Sequence, residues 1–415
     1  MALRADLLER NAGQLLTLDA PAPRRCAGMS DLGLVRGGAV ATGGGRILAA
    51  GPERAVHARY EAEEELDAGG RVVMPAFVDP HTHVIYAGDR IDEFEQRLRG
   101  ATYQEIMAAG GGILSTVRAT RAASDDEILS QTRARLRRML VHGTVAAEVK
   151  TGYGLDVESE LRLLRLIRAL AESQPVRLVP TFLGAHAVPA EYEGRADAYV
   201  DLVEAMVPQV AGLAEYCDVF CDEGAFTLAQ AARILRRARE LGLGLRVHAD
   251  EFAPLGAVRL AAELGAASAD HLMVTSEADR ARLAASGVAA VLLPATGFGL
   301  AKGKYADGRA WVDAGAIVAL ATDCNPGTAP NESMPFTIAL ACRMLRLSPA
   351  EAVVASTLNA AYALGRASEV GSLVPGKSAD LLILDAEDYR ELAYRFGSNP
   401  VQTVMVAGRV CAGAS

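Results

Sequence analysis

Aromatic side chains make up only 5% of the 415 residues, and there is a single tryptophan. A core of this size must then be packed mainly from Ala, Leu and Val, which favours helices lying close on strands in an α/β arrangement. Positive charge is also scarce: the net charge of −9 argues against a nucleic-acid partner, which would need a basic stripe. Arginines do cluster at Arg133, Arg135, Arg137 and Arg138, and again at Arg233, Arg236, Arg237 and Arg239. Both runs follow helical spacing and read as solvated helix faces. An acidic chain still binds a small anion when one or two arginines are aimed at it. The six cysteines include no CxxC pair, so neither a disulfide scaffold nor a thiolate zinc site is indicated. Cys217 and Cys221 lie in an apolar run and read as buried free thiols. The first residues, Met1 to Asp6, lack the apolar centre of a signal peptide, and no apolar run is long enough to span a bilayer. The expectation is a soluble, cytoplasmic protein without a membrane partner.

What is present is a well-buried globular composition, 51% hydrophobic and 22% charged, in a chain longer than one hydrophobic core usually serves. Residues 1–71 and 366–415 share a texture of short strand-like runs broken by glycine, as at Gly43-Gly44-Gly45 and Pro375-Gly376. They suggest one small β-sandwich-like domain assembled from both termini. Residues 72–365 alternate apolar runs with amphipathic helical patterns. Strand candidates cover 72–79, 145–149, 177–183, 216–221, 245–247, 267–270, 288–293 and 317–321. Ser124 and Ser348 each open a capping box, the second with Pro349 at the first helical position. The pattern 227–241 stops at Gly242, suited to a left-handed cap. Eight strand–helix repeats match a (β/α)8 TIM-like barrel better than a doubly wound sheet.

The polar residues decide that choice. Strand candidates end on His81 and His83, Lys150 and Tyr153, His186, Glu223, His248 and Glu251, His271, and Asp323; only the seventh ends blandly, in Pro294-Ala295-Thr296. Residues so scattered converge only if the sheet closes. Of the seven histidines, His57 and His142 alone avoid strand ends. One strand-end histidine is as easily structural as functional, but a set of them points to metal ligation. His81 and His83, two apart on an extended segment, project to one side. His248 can add a third nitrogen and Asp323 an oxygen, a set suited to one Zn2+ or Fe2+/Fe3+ ion with room for water.

The segments 75–83, 87–90, 110–113, Glu148-Val149-Lys150-Thr151-Gly152-Tyr153-Gly154, 182–186 and 323–327 resemble the amidohydrolase superfamily and, within it, the imidazolonepropionase family, over essentially the whole chain. The resemblance implies hydrolytic opening of 4-imidazolone-5-propanoate to N-formimino-L-glutamate, in histidine degradation, by a homodimeric enzyme with one metal ion per subunit. It implies that Asp323 ligates the ion and accepts a proton from water, and that His271 assists in activating the water or holding the oxyanion. Glu251 or protonated Asp323 supplies the leaving nitrogen's proton. Arg90 is the implied clamp for the propionate, since a guanidinium matches a carboxylate; without the resemblance it reads as a surface arginine in an acidic loop. Tyr153 and His186 are implied contacts to the ring and product. Asn325, Gly327 and Thr328 match a substrate-contacting segment, although Thr328 is also placed to cap the next helix. Lys150 follows the second strand candidate and Glu223 the fourth; both read as supporting residues, not ligands.

Two other readings share parts of this pattern. A mononuclear nucleobase deaminase would carry the same HxH, His-x-x-Glu, His and Asp set, but the arginine and the Tyr153/His186 pair favour a substrate with a carboxylate tail. A non-catalytic barrel scaffold would have lost ligands, whereas every expected ligand is present.

Overall fold

The computed structural model describes residues 3–101, 105–106, 110–301 and 303–413; Met1 and Ala2, part of the leader reading, and Ala414 and Ser415 lie outside them. Eight parallel strands run in chain order around a barrel: β6 (Phe77–Asp79), β7 (Thr144–Lys150), β8 (Arg177–Ala185), β9 (Tyr216–Cys221), β10 (Gly244–Ala249), β11 (Ser268–His271), β12 (Ala289–Leu292) and β13 (Ile317–Leu320). Runs such as Ala289-Ala290-Val291-Leu292 are buried throughout, as expected of strands covered by helices outside and packed side chains inside. The first and last strands approach beyond their formal ends. Asp323 N donates to His81 O at 3.1 Å, and His83 N to Cys324 O at 2.9 Å. Below them Thr322 Oγ1 donates to Asp79 Oδ2 at 2.5 Å. The segments that close the barrel are thus the ones that carry His81, His83 and Asp323.

The helical signals are realised where they fell. Ser124 and Ser348 complete capping boxes, and a third forms at Thr227. Gly242 adopts φ 81° just past the helix Leu228–Glu240, a backbone angle that costs any other residue more. The arginine run at 133–138 is only partly a solvated face. Arg135 is 6% exposed, with Nη1 donating to Val84 O and Tyr86 O at 3.0 and 2.8 Å and its guanidinium 3.4 Å from the Tyr86 ring centroid. Those carbonyls, left unpaired by the loop after β6, are what draw it inward.

The termini form a second, mixed sheet of eight strands. Its order is β16 (Arg409–Gly413), β15 (Val401–Val406), β14 (Leu381–Leu384), β5 (Val72–Pro75), β1 (Leu3–Leu16), β2 (Leu34–Gly43) and β3 (Arg46–Pro52), with β4 (Tyr60–Asp67) also on β1. Two details differ from the sequence reading. The run 72–79 is two strands: Val72–Pro75 pairs with β1 and β14, and only Phe77–Asp79 enters the barrel. An uninterrupted apolar run cannot mark where pairing partners change. The first strand spans 14 residues, longer than its apolar stretch, because β2 and β4 flank its polar first half. Arg177 Nη1, at the foot of β8, meets Asp380 Oδ2 at 2.5 Å and joins barrel to sheet. Among the described residues no helix is long and apolar enough to cross a membrane.

Candidate metal centre and its cavity

At the carboxyl ends of the strands the five strand-end histidines come together. His81 and His83 project inward from the extended segment after β6, while Thr82 between them turns away and donates to Glu148 O at 2.5 Å. His83 Nε2 lies 3.3 Å from His81 Nε2 and 3.3 Å from His248 Nε2. Asp323 Oδ1 is 3.5 Å from His81 Nε2 and 3.6 Å from His83 Nε2. An ion held tetrahedrally at about 2.0–2.1 Å would give donor–donor edges of about 3.3–3.4 Å; the two histidine–histidine spacings match and the two to Asp323 are slightly longer. The donor atoms that lie within 4.8 Å of one another fall into two groups that share His81, namely His81, His83 and Asp323, and His81, His248 and His271.

The protonation of the rings agrees. His81 Nδ1 is 2.6 Å from Asp270 Oδ2 and His248 Nδ1 is 2.9 Å from Asp218 Oδ2. A carboxylate at Nδ1 keeps the proton there and leaves the Nε2 lone pair free. Burial, reinforced by Lys150 and neighbouring histidines, holds the His81 pKa well below its ordinary value, and burial with His186 and His248 does the same for His83. Neutral imidazoles whose lone pairs face one another at 3.3 Å repel unless a cation lies among them, so the donor set fits a metal ion.

Asp323 and His271 hold left-handed backbones, φ 53° and 77°, strained for residues with a Cβ and typical of functional sites. Asp323 Oδ2 accepts from Thr296 Oγ1 at 2.5 Å; burial pushes its pKa up to about 6 in spite of that bond. The seventh strand therefore does not end blandly. His271, buried beside His81 and His248, has among the described residues no hydrogen-bond partner on either ring nitrogen, and the Glu251 carboxylate is 3.8 Å from its Nδ1. Burial, then the nearby Asp323 and Asp222, raises the Glu251 pKa well above the usual carboxylate range. The loop that carries Glu251 is fixed by Asp222, whose carboxylate accepts from the main-chain N–H groups of Glu251, Phe252 and Ala253 at 2.7, 3.1 and 2.9 Å. Glu223, the residue the sequence reading picked here, is exposed.

A cavity of about 70 Å³ opens over these groups, walled by Tyr153, His186, Phe220, Arg90, Asn325 and Thr328. His186 stacks on His83, centroids 5.0 Å apart, and directs Nδ1 at Gly152 O at 3.0 Å. Burial drives its pKa down to about 3. Tyr153, 2% exposed, packs edge-on to His186. Arg90 is not a surface residue: its side chain is 7% exposed, and Nε and Nη2 lie 2.8 and 2.7 Å from Glu93 Oε2. Glu93 Oε1 in turn accepts from Gly112 N and Ser115 Oγ, both at 2.9 Å. A Cβ on Gly327 would stand 2.2 Å from Arg90 Nη1. Asn325 uses its whole amide on the turn: Oδ1 accepts from Gly327 N and Thr328 N at 2.8 Å, and Nδ2 donates to Asp323 O and Thr328 Oγ1 at 2.7 and 3.0 Å. The next helix, Met334–Met344, is capped by Ser333 rather than Thr328.

Beneath the centre, the barrel interior holds Glu148, Lys150, Asp218, Arg246 and Asp270, all fully buried. Of these only Lys150 carries a role in the sequence analysis, as a supporting residue. The overlooked signal was charge at inward positions of otherwise apolar strands, together with Thr296 at an apparently featureless end.

The amidohydrolase family model matches residues 72–411. The imidazolonepropionase of Chloroflexus aggregans is 53% identical, over 98% of this chain and 98% of its own. That of Herpetosiphon aurantiacus is 50% identical, over 98% and 97%, and that of Geobacillus kaustophilus 48%, over 97% of each. Among solved structures, a zinc-bound adenosine deaminase from Xanthomonas campestris has a TM-score of 0.75 at 19% identity, covering 100% of this chain and 94% of that one. An Escherichia coli guanine deaminase has 0.73 at 15%, covering 98% and 99%. At such identities these two report the fold alone.

Proposed function

The chain belongs to the imidazolonepropionases of the amidohydrolase family, and on that premise we propose how its site opens the ring of 4-imidazolone-5-propanoate to give N-formimino-L-glutamate, a step of L-histidine degradation. His81, His83, His248 and Asp323 would hold one ion, Zn2+ or Fe2+/Fe3+. An ion in such a set acts as a Lewis acid and makes water nucleophilic near neutral pH.

The remaining steps fall to the protein's own groups. Asp323 Oδ1, on the histidine side of its carboxylate, takes the proton of the attacking water, while Oδ2 stays on Thr296. His271, kept neutral by burial, donates one ring N–H to the oxygen on which negative charge develops. Glu251, kept protonated by burial, gives its proton to the ring nitrogen as the C–N bond breaks. Arg90 offers Nη1 to the propionate while Glu93 fixes its other edge. Tyr153 and His186 bracket the ring, and the turn shaped by Asn325 lets Gly327 and Thr328 border the carboxylate.

The observation that carries this reading is the gathering of His81, His83, His248 and Asp323, with neighbouring donor atoms 3.3–3.6 Å apart, beside a cavity with one buried arginine. Steady-state assays against 4-imidazolone-5-propanoate, aminopyrimidines and aminopurines test it. Turnover of the bases without turnover of the imidazolone would replace it with a deaminase reading. Residues 1–71 with 366–415 and residues 72–365 serve as the two domains, except that Val72–Pro75 pairs into the terminal sheet, in a homodimeric cytoplasmic enzyme that binds neither nucleic acid nor membrane; the free state of all six cysteines suits a reducing compartment.

A further inference from the structure

We propose that Lys150 is a positioning residue for the metal-holding histidines, a single ammonium that ties together the two carboxylates aiming His81 and His248. The proposal rests on the metal-site reading above. Lys150 Nζ lies 2.6 Å from Asp218 Oδ2, 2.8 Å from Glu148 Oε2 and 3.7 Å from Asp270 Oδ2. The same two aspartate atoms face the imidazoles: Asp218 Oδ2 is 2.9 Å from His248 Nδ1, and Asp270 Oδ2 is 2.6 Å from His81 Nδ1. Each oxygen is therefore held between the ammonium and a ring. The strand bearing Lys150 is also in register with the ligand segment, since its main-chain N–H donates to Thr82 O at 3.0 Å, between His81 and His83.

The charge balance explains why a cation is needed at that point. Glu148, Asp218 and Asp270 are three carboxylates sealed from water, and among the described residues the buried cations paired with them are Lys150 and Arg246. Arg246 sits to one side, its Nε 2.9 Å from Glu148 Oε1, so among the described residues the ammonium that pairs directly with both Asp218 and Asp270 is that of Lys150. Without the ammonium, like charges in a medium of low dielectric repel, and both carboxylates shift against the rings they orient. Groups that orient metal ligands are worth about 10–100-fold in affinity when removed.

The test is zinc affinity of the full-length apo-protein, measured by competition with a chromogenic chelator, with the visible spectrum of the Co2+ form as a second readout. K150M removes the ammonium at similar length. Because it leaves three buried carboxylates against one cation, the charge-balanced pair E148Q/K150M is measured beside it, with E148Q alone as control; the Glu148 carboxylate bonds to Thr181, Lys150 and Arg246. The expected result is about 10–100-fold weaker zinc binding and an altered Co2+ spectrum in K150M and in the pair, with E148Q within about 3-fold of wild type. Unchanged affinity in the pair would overturn the proposal, as would an equal loss in E148Q, or failure of the balanced pair to fold, which would make the lysine a requirement of the barrel and not of the ligands. If wild type itself took up no stoichiometric zinc or cobalt, the metal-site reading would fall instead, a distinct outcome.

Discussion

A methyl group on Gly327 is the sharpest way to ask what Arg90 does. Gly327 has no positive φ, so alanine suits its backbone, but the new Cβ would stand 2.2 Å from Nη1, 2.7 Å from Cζ and 3.2 Å from Nη2 of Arg90. Ordinary contact begins near 3.4 Å, so the guanidinium must retreat by about 1 Å or more, a displacement able to cost about 100-fold when it misplaces a substrate-orienting group. Because the obstructing atoms end a flexible side chain, folding should lose less than about 1 kcal/mol. Binding should lose more: a charge-assisted contact to a carboxylate is worth about 1.5–3 kcal/mol, or about 10–150-fold in kcat/KM. If the propionate is held alike in ground and transition states, the loss falls on KM and spares kcat. Initial-rate kinetics on wild type, G327A, R90M and the double variant measure this, with metal content as control. In the R90M background G327A should cost less than about 3-fold, because its target is gone. An equal penalty with and without Arg90, or a fall in kcat at constant KM, would refute the clamp.

Three further expectations concern other groups. Thr296→Val keeps the shape but removes the donor to Asp323 Oδ2, so zinc affinity of the apo-protein should fall about 10–100-fold and recover in Thr296→Ser; an unchanged valine variant would show the bond to be idle. Glu251→Gln should retain the metal and lower kcat by about 100-fold or more, as loss of a proton donor does; turnover within a few-fold would move that role elsewhere. Glu9, in the terminal sheet, is fully buried with neither carboxylate oxygen hydrogen-bonded among the described residues, and burial, then Glu53 and Asp67, raises its pKa well above 4.5. The folded state then holds a proton that the unfolded chain releases above about pH 4.5, so stability falls with rising pH by up to about 1.4 kcal/mol per unit until the folded pKa is reached. Glu9→Gln removes that loss. Its advantage in denaturant midpoint should grow as pH rises above about 4.5, until the folded pKa is reached, and vanish below, and parallel curves for the two proteins would contradict it.

The barrel and the residues of the candidate centre were legible because their signals are local. A histidine, an aspartate or a capping serine at the end of an apolar run announces itself without knowledge of its partners. What escaped depends on partners distant in sequence. Asp218 and Asp270 look like interruptions of strands until His248 and His81 stand over them, and Thr296 looks inert until the closing segment brings Asp323 within 2.5 Å. Arg135 shares its helical spacing with solvated neighbours, and only the carbonyls of Val84 and Tyr86 tell it apart. The break at Ala76 is invisible for the same reason: both halves are apolar, and they differ only in which sheet they join. Arg90 reads oppositely in the two views, since its acidic surroundings suggest a surface loop while Glu93 in fact packs it inward.

The central claim is that one ion, held by His81, His83, His248 and Asp323, is needed to open the imidazolone ring. Titrating Zn2+ into the chelator-treated protein while following loss of 4-imidazolone-5-propanoate tests it most directly. Activity should rise linearly, break at one equivalent per chain and stay level, with no such rise in a His83→Ala variant. Activity that is independent of added metal, or that continues to climb to two equivalents, would contradict the claim.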